Sequence, residues 1–335
     1  MIFCVVSLQS DCVLIKKLVM DQPGSAGAQA RNRTMPEAVN MKQSTKDIFK
    51  KHGWRVDRAI HNIIYFRYYY PYIKVLTTGV LALRNMMWFK PLRPVANFVF
   101  HRYHAKTLST GDTRKIFTLN EDVRRISDEN KRIVPFKYAT KIIFQEPEFI
   151  AVMDCPCKKS TGAPKEDLNS CFMIGRAAQF WLDNNKYNAR KVTQEEALGI
   201  IDRLRKKNYI TQAFFKVATG GSTGVICNCH PDYCLNIIAS NITKKLGTGV
   251  VPVAMHSGYS VRHDPAKCKN CGTCAQICPF EAIVMKDGNR VYIKEECRGC
   301  ELCSDRCPSG ALSLFVDASK PEPLDMDKVK AGLAN

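Results

Sequence analysis

The chain has 335 residues, 45% hydrophobic and 24% charged, and Lys and Arg outnumber Asp and Glu to give a formal net charge of +19. Those proportions are those of an ordinary globular protein, so composition forces no part into disorder, and the length suits two or three domains. Sixteen cysteines in close, recurring spacings call for thiolates kept reduced for metal rather than for disulfides, and the expected location is cytoplasmic.

Residues 1–40 read as a leader. Met1 to Met20 is apolar but broken by Asp11, Lys16 and Lys17, and it lacks the basic start of a secretory signal. Initiation at Met35 or Met41 is the alternative. Residues 41–136 form a basic amphipathic helical region. Ser44 and Asp47 have capping-box spacing, and Val56, Ile60, Ile63 and Ile64 fall on one helical face. Between 31 and 110 there are 15 Lys and Arg against 3 Asp and Glu, whereas 264–335 carries 10 against 11. The basic character therefore belongs to the front of the chain. Lys74 and Arg84 bracket only nine uncharged residues, and a spanning helix needs about 20. The basic, aromatic stretch 54–104 is expected either to dock on an acidic redox partner or the cytoplasmic face of a membrane, or to pack on the protein's own core. No nucleic-acid partner is expected.

Residues 137–260 read as an α/β domain with cysteines in three groups: Cys155-Pro156-Cys157-Lys158, then Cys171, then Cys227-Asn228-Cys229-His230 with Cys234. Phe172 to Asn184 and Thr193 to Lys207 are expected as helices, the second opened by a Thr193/Glu196 capping box, and Tyr209–Val217 and Val225–Asn228 as strands. The cysteine groups are expected at element ends, where loops converge on a metal. Cys155, Cys157, Cys171, Cys227, Cys229 and Cys234 are six candidates for a site that needs four. A third iron–sulfur cluster is the first reading, structural zinc the second, and a redox dithiol or free thiols the third. His230 reads as a hydrogen-bonding neighbour rather than a ligand. Gly220 to Gly224 lacks the P-loop lysine and reads as a turn. This segment resembles the cysteine domain that precedes dicluster ferredoxins in a group of 4Fe-4S proteins of anaerobic prokaryotes. The matching residues are Cys155-Pro156-Cys157-Lys158, Cys171, Glu195-Glu196-Ala197 and Ile226-Cys227-Asn228-Cys229. It departs from them at His230, where they usually carry cysteine, and the resemblance implies no substrate.

Residues 261–317 hold the most specific pattern. Cys268, Cys271, Cys274 and Cys278-Pro279 are repeated 29 residues later as Cys297, Cys300, Cys303 and Cys307-Pro308. Each is the C-x2-C-x2-C-x3-C-P run of 4Fe-4S proteins, in which the fourth cysteine serves the other cluster. Over 262–317 the chain resembles the bacterial two-cluster ferredoxins. The resemblance implies a pseudo-symmetric domain with a hairpin and a short helix in each half and two 4Fe-4S clusters. Cys268, Cys271, Cys274 and Cys307 would hold one, and Cys297, Cys300, Cys303 and Cys278 the other. Two apolar strands flank Asp287-Gly288, a hairpin signal. Residues 318–335 read as a mobile tail.

The expected class is α+β. The function expected first is single-electron transfer, as a ferredoxin-like carrier or a subunit of an anaerobic oxidoreductase. The alternatives are a redox enzyme whose middle centre handles a substrate, and a redox regulator with a winged helix over 193–217. The sequence shows no Ser-His-Asp arrangement, zinc-protease helix or dinucleotide fingerprint.

Overall fold

A computed structural model describes residues 68–85, 91, 94, 103–135, 141–184, 186–216, 224–246 and 253–331. The chain divides into two units, 1–42 and 43–335, and every described residue belongs to the second. The leader, the Ser44 cap, the helical face from Val56 to Ile64 and the glycines from 220 lie outside the described residues, apart from Gly224.

Helix α1 (Tyr69–Asn85) is followed by β1 (Tyr103–Thr107), α2 (Thr110–Phe117), and the antiparallel pair β2 (Val123–Ile126) and β3 (Lys141–Phe144). Next come β4 (Ile150–Asp154), α3 (Pro156–Thr161), α4 (Lys165–Leu168), β5 (Asn169–Ile174), α5 (Arg176–Asn184) and β6 (Arg190–Val192). Then follow α6 (Gln194–Lys206), β7 (Ile210–Lys216), β8 (Val225–Cys229), α7 (Leu235–Leu246) and β9 (Ala254–Met255). Seven strands form one sheet in the order β6-β4-β5-β8-β7-β1-β9. All its pairings are antiparallel except β1 with β9.

Strands β4 and β8 are buried at every residue, because both faces of the sheet are covered. Side chains alternate between faces with a period of two. Val152, Phe172, Ile226 and Phe215 point into one apolar cluster, with Ile116 and Phe117 of α2 and Ala197 and Ile201 of α6. Met153, Cys171, Cys227 and Cys229 point into the other, with Tyr69 and Ile73 of α1, Trp181 of α5 and Ile237 of α7. Three of the middle cysteines thus share one face of the sheet through strand alternation alone.

Mixed helix and strand content fits the α+β class. Helix α6 begins as expected, with Thr193 Oγ1 accepting from the Glu196 amide at 3.1 Å. Strands β7 and β8 match their expected spans. They are interior strands, paired on both sides, which is not the geometry of a two-stranded wing. Four expectations are corrected. Phe172 is not helical: Asn169–Ile174 is a strand, and the helix starts only after Gly175. That residue has φ +65°, and a Cβ there would lie 1.9 Å from the Gln145 carbonyl oxygen. The front region is not separate from the middle domain. β1 lies in its sheet, and α1 buries Tyr69, Ile73, Thr77 and Val80 against it while Tyr68 and Val75 stay exposed. For α1 the apolar face is used internally; most of the rest of 54–104 lies outside the described residues.

Nor are residues 318–331 a mobile tail. Leu324, with Met326 and Val329 of α10 (Met326–Ala331), is at most 1% exposed in the first apolar cluster. Lys115 pairs with Asp325, Lys330 with Glu121, and the buried Lys106 donates to the carbonyls of Ile133 and Glu322 at 2.7 and 2.6 Å. The fourth correction concerns the hairpins. In the C-terminal module β11 (Ile283–Lys286) and β12 (Asn289–Tyr292) form one across Asp287-Gly288, both at positive φ. The other strand pair joins the module's two ends, β10 (Tyr259–His263) with β13 (Leu312–Val316). Each half has its one-turn helix, α8 (Thr273–Gln276) and α9 (Leu302–Asp305).

Burial lowers the Lys106 ammonium pKa to about 7. The folded chain therefore gives up a proton that the unfolded chain retains until the ordinary lysine range, and stability rises with pH between those values. Lys106→Met is expected to flatten that rise in anaerobic urea titrations at pH 7 and pH 9. An equal slope in variant and parent would place the proton elsewhere.

Candidate metal centres

The two cysteine runs repeat in structure as well as sequence. Asn270 and Gly272 have positive φ in the first loop, as do Gly299 and Glu301 in the second, and Glu281 and Gly310 follow at the same offset of 29. The Ala282 amide donates to Cys278 Sγ and the Ala311 amide to Cys307 Sγ, each at 3.2 Å. Left-handed residues turn successive amides toward the loop interior, and N–H donors there stabilise thiolate sulfur.

Cys307 does not join the three cysteines of its own run. It lines a cavity of about 370 Å³ with Cys268, Cys271 and Cys274. Cys278 in turn lies close enough to Cys300 and Cys303 to oppose the loss of their protons by charge repulsion. Burial is the larger cause, and it pushes the Cys300 thiol up to about 12. The two sets differ in exposure. Cys271 is exposed and its three partners half-buried, whereas Cys297, Cys300 and Cys303 are buried. One set is thus outer and the other inner. A 4Fe-4S cube requires four thiolates around a common volume; the outer four line one cavity, with an amide donor to Cys307 Sγ.

The inner set faces the middle domain. Arg205 of α6 donates to the Cys300 carbonyl at 2.9 Å and to Asp305 at 2.8 Å. Asn241 of α7 donates to the Pro279 carbonyl, Ser257 to that of Gly299, and Lys244 to that of Phe280. Phe280, Cys300 and Leu302 belong to the same apolar cluster as Cys155, Cys171, Cys227, Cys229 and Cys234.

All six middle cysteines line one cavity of about 790 Å³. Cys155 caps α3 and Cys157 lies in its first turn. Cys171 and Cys227 are cross-strand neighbours inside β5 and β8, with Sγ atoms 3.7 Å apart. Cys229 ends β8, and Cys234 precedes α7, whose amides at Asn236 and Ile237 hydrogen-bond its sulfur. The expectation that the cysteines sit at element ends therefore fails for Cys171 and Cys227, which β-alternation brings to the cavity from mid-strand. Hydrogen bonds from Cys157 and Cys171 hold the Cys155 thiol below its ordinary range, and one from Cys229 does the same for Cys234. The donors are held above theirs, with burial the first cause for Cys229. So dense a set of thiols favours a mixture of thiolate and thiol unless positive charge enters.

Lys158, part of the first cysteine motif but given no role from sequence, stands beside the set; burial lowers its pKa, and the neighbouring cysteines act the other way. It is 1% exposed, donates to Ser170 Oγ at 2.6 Å and the Asp167 carbonyl at 3.0 Å, and lies 4.1 Å from the centre of the Tyr209 ring. The Asp167 carboxylate, also buried, accepts from Lys207 and Tyr209. The cavity's far wall is apolar: Tyr69, Ile73, Leu76 and Val80 of α1, spaced i, i+4, i+7 and i+11. That spacing was a legible signal, although the sequence alone did not say what the face would cover. His230 does not line the cavity. Its Nδ1 accepts from the Asp232 amide, and its ring lies 5.0 Å from that of Tyr209. Among the described residues no three His, Cys, Asp or Glu side chains are gathered for a single metal ion, and no helix is long and apolar enough to cross a membrane.

Comparison with known families identifies residues 262–314 as a match to the model of the 4Fe-4S dicluster domain. The C-terminal region is thus an iron–sulfur, ferredoxin-like domain, and its two thiol sets fit a dicluster count. A search of curated proteins gives no match.

Proposed function

We propose that this protein carries single electrons from a docked redox partner, a protein or a subunit of a larger oxidoreductase, through the C-terminal dicluster domain to a third centre in the middle cavity. Thiolate-held cubes supply one-electron chemistry when bound. Cys268, Cys271, Cys274 and Cys307 hold the outer one, near the surface that a partner can reach. Cys297, Cys300, Cys303 and Cys278 hold the inner one, where burial excludes water. Four of Cys155, Cys157, Cys171, Cys227, Cys229 and Cys234 hold the third, an iron–sulfur cluster rather than zinc. The observation that carries this reading is the shared apolar cluster joining Cys300 and Leu302 to five of the middle cysteines. Continuous packing keeps centres close and fixed, and a carrier that served only as a surface shuttle would not need its inner loop tied to α6 through the Cys300 carbonyl and Asp305.

EPR of the anaerobically reduced protein tests it. Signals broadened by magnetic interaction among more than two reduced centres are expected. Isolated, unbroadened signals accounting for two clusters alone would overturn the third centre. A second reading, a redox enzyme with a substrate in the cavity, is favoured by one feature. Asn236 is 6% exposed and lines the cavity, and its Nδ2 has no hydrogen-bond partner.

A further inference from the structure

Six thiols surround the middle cavity, and the third centre proposed there needs four, which would leave two over. Cys171 hydrogen-bonds both Cys155 and Cys227, and strand register distinguishes the second pair. Cys171 and Cys227 stand directly opposite each other on antiparallel β5 and β8, and their sulfurs are 3.7 Å apart. Directly opposed residues of an antiparallel pair have Cα atoms about 4.5–5.5 Å apart, within the roughly 4.4–6.8 Å that a disulfide spans. The remaining four come as two close-spaced pairs, Cys155 with Cys157 and Cys229 with Cys234, carried by α3 and by the β8–α7 connection. These segments lie at element ends, where backbone can wrap a cluster. Strand interiors cannot rearrange in that way without breaking the ladder.

We infer that Cys171 and Cys227 form a redox-active dithiol, a two-electron store beside a one-electron centre held by Cys155, Cys157, Cys229 and Cys234. The balance is simple. In the oxidised form one S–S bond joins the two sulfurs. Two electrons delivered singly along the proposed route, together with two protons, cleave that bond and leave two thiols. The reverse step releases two electrons and two protons. Such a pair would let a chain of one-electron carriers serve a two-electron reaction at the cavity.

This inference rests on the electron-transfer reading, and the test separates the two. The full-length, iron-loaded protein is equilibrated anaerobically in reduced or oxidised dithiothreitol buffers, quenched in acid, alkylated and mapped by mass spectrometry. Cys171 and Cys227 are expected to change together from alkylated to cross-linked as the buffer becomes oxidising, with iron per chain constant. Cys171→Ser and Cys227→Ser should each abolish the cross-link and leave iron and sulfide unchanged. A pair that stays alkylated at every poise while iron is constant would overturn the dithiol and leave the carrier reading intact. Loss of about four irons per chain in either serine variant would instead make that residue a ligand and also overturn it. Absence of iron from the parent protein would count against both.

Discussion

Gly299→Ala will strip the inner thiol set of its cluster and leave the outer set loaded. Gly299 sits between Cys297 and Cys300 at φ +63°, and a Cβ there would lie 1.9 Å from the Tyr259 carbonyl oxygen and 2.2 Å from Ser257 Oγ. Left-handed backbone costs a residue with a side chain roughly 1–2 kcal/mol. The collision is far worse, because the Tyr259 oxygen is backbone within β10 and cannot swing aside. The loop must move, and with it the Cys297 and Cys300 sulfurs. Gly310→Ala supplies the control, since Gly310 has nearly the same φ, +62°, with nothing within 4 Å of a new Cβ. About four irons per chain should be lost from the first variant and almost none from the second. Equal iron in the two would mean that the close approach of the inner loop to β10 is not needed to hold it.

Cys307→Ser should have the opposite spatial effect. Cys307 follows Cys303 by four residues, yet it lines the cavity of Cys268, Cys271 and Cys274. Serine is a poor ligand to iron, so the outer cluster should be lost or degraded, with the EPR change at the more exposed centre. The inner set, with Cys278 still in place, should keep its spectrum. A change confined to the buried centre would contradict crossed ligation.

The C-terminal module was legible because its ligands are local. Runs of seven residues fix three thiols, and the repeat at 29 residues reappears residue for residue in positive-φ positions, one-turn helices and N–H···S bonds. The middle site was legible as a list of six cysteines but not as a geometry. Cys171 and Cys227 meet only because β5 pairs with β8 in one register, and register between strands more than 50 residues apart leaves no local mark. Phe172 to Ile174 was misread as helix because short apolar runs suit either period. What settled it was tertiary, the Gly175 turn against Gln145. Residues beyond 318 looked like a tail because Pro321, Pro323 and alternating charges are loop composition. Leu324, Met326 and Val329 are too few to announce a buried segment, and their pocket is built by residues some 200 positions earlier. Lys158 was visible in the motif, but its burial against Ser170 and Tyr209 depends on packing that a sequence pattern does not encode.

A redox path that continues from the dicluster domain into the cysteine cavity requires a third cluster there, and metal content reads it out. Iron, sulfide and zinc should be quantified per chain in the anaerobically purified full-length protein and in a variant with Cys155, Cys157, Cys229 and Cys234 changed to serine. Three cubes correspond to about twelve irons and twelve sulfides in the parent and about eight of each in the variant, with no zinc in either. Eight irons in both proteins, or one zinc in the parent that the variant lacks, would contradict it.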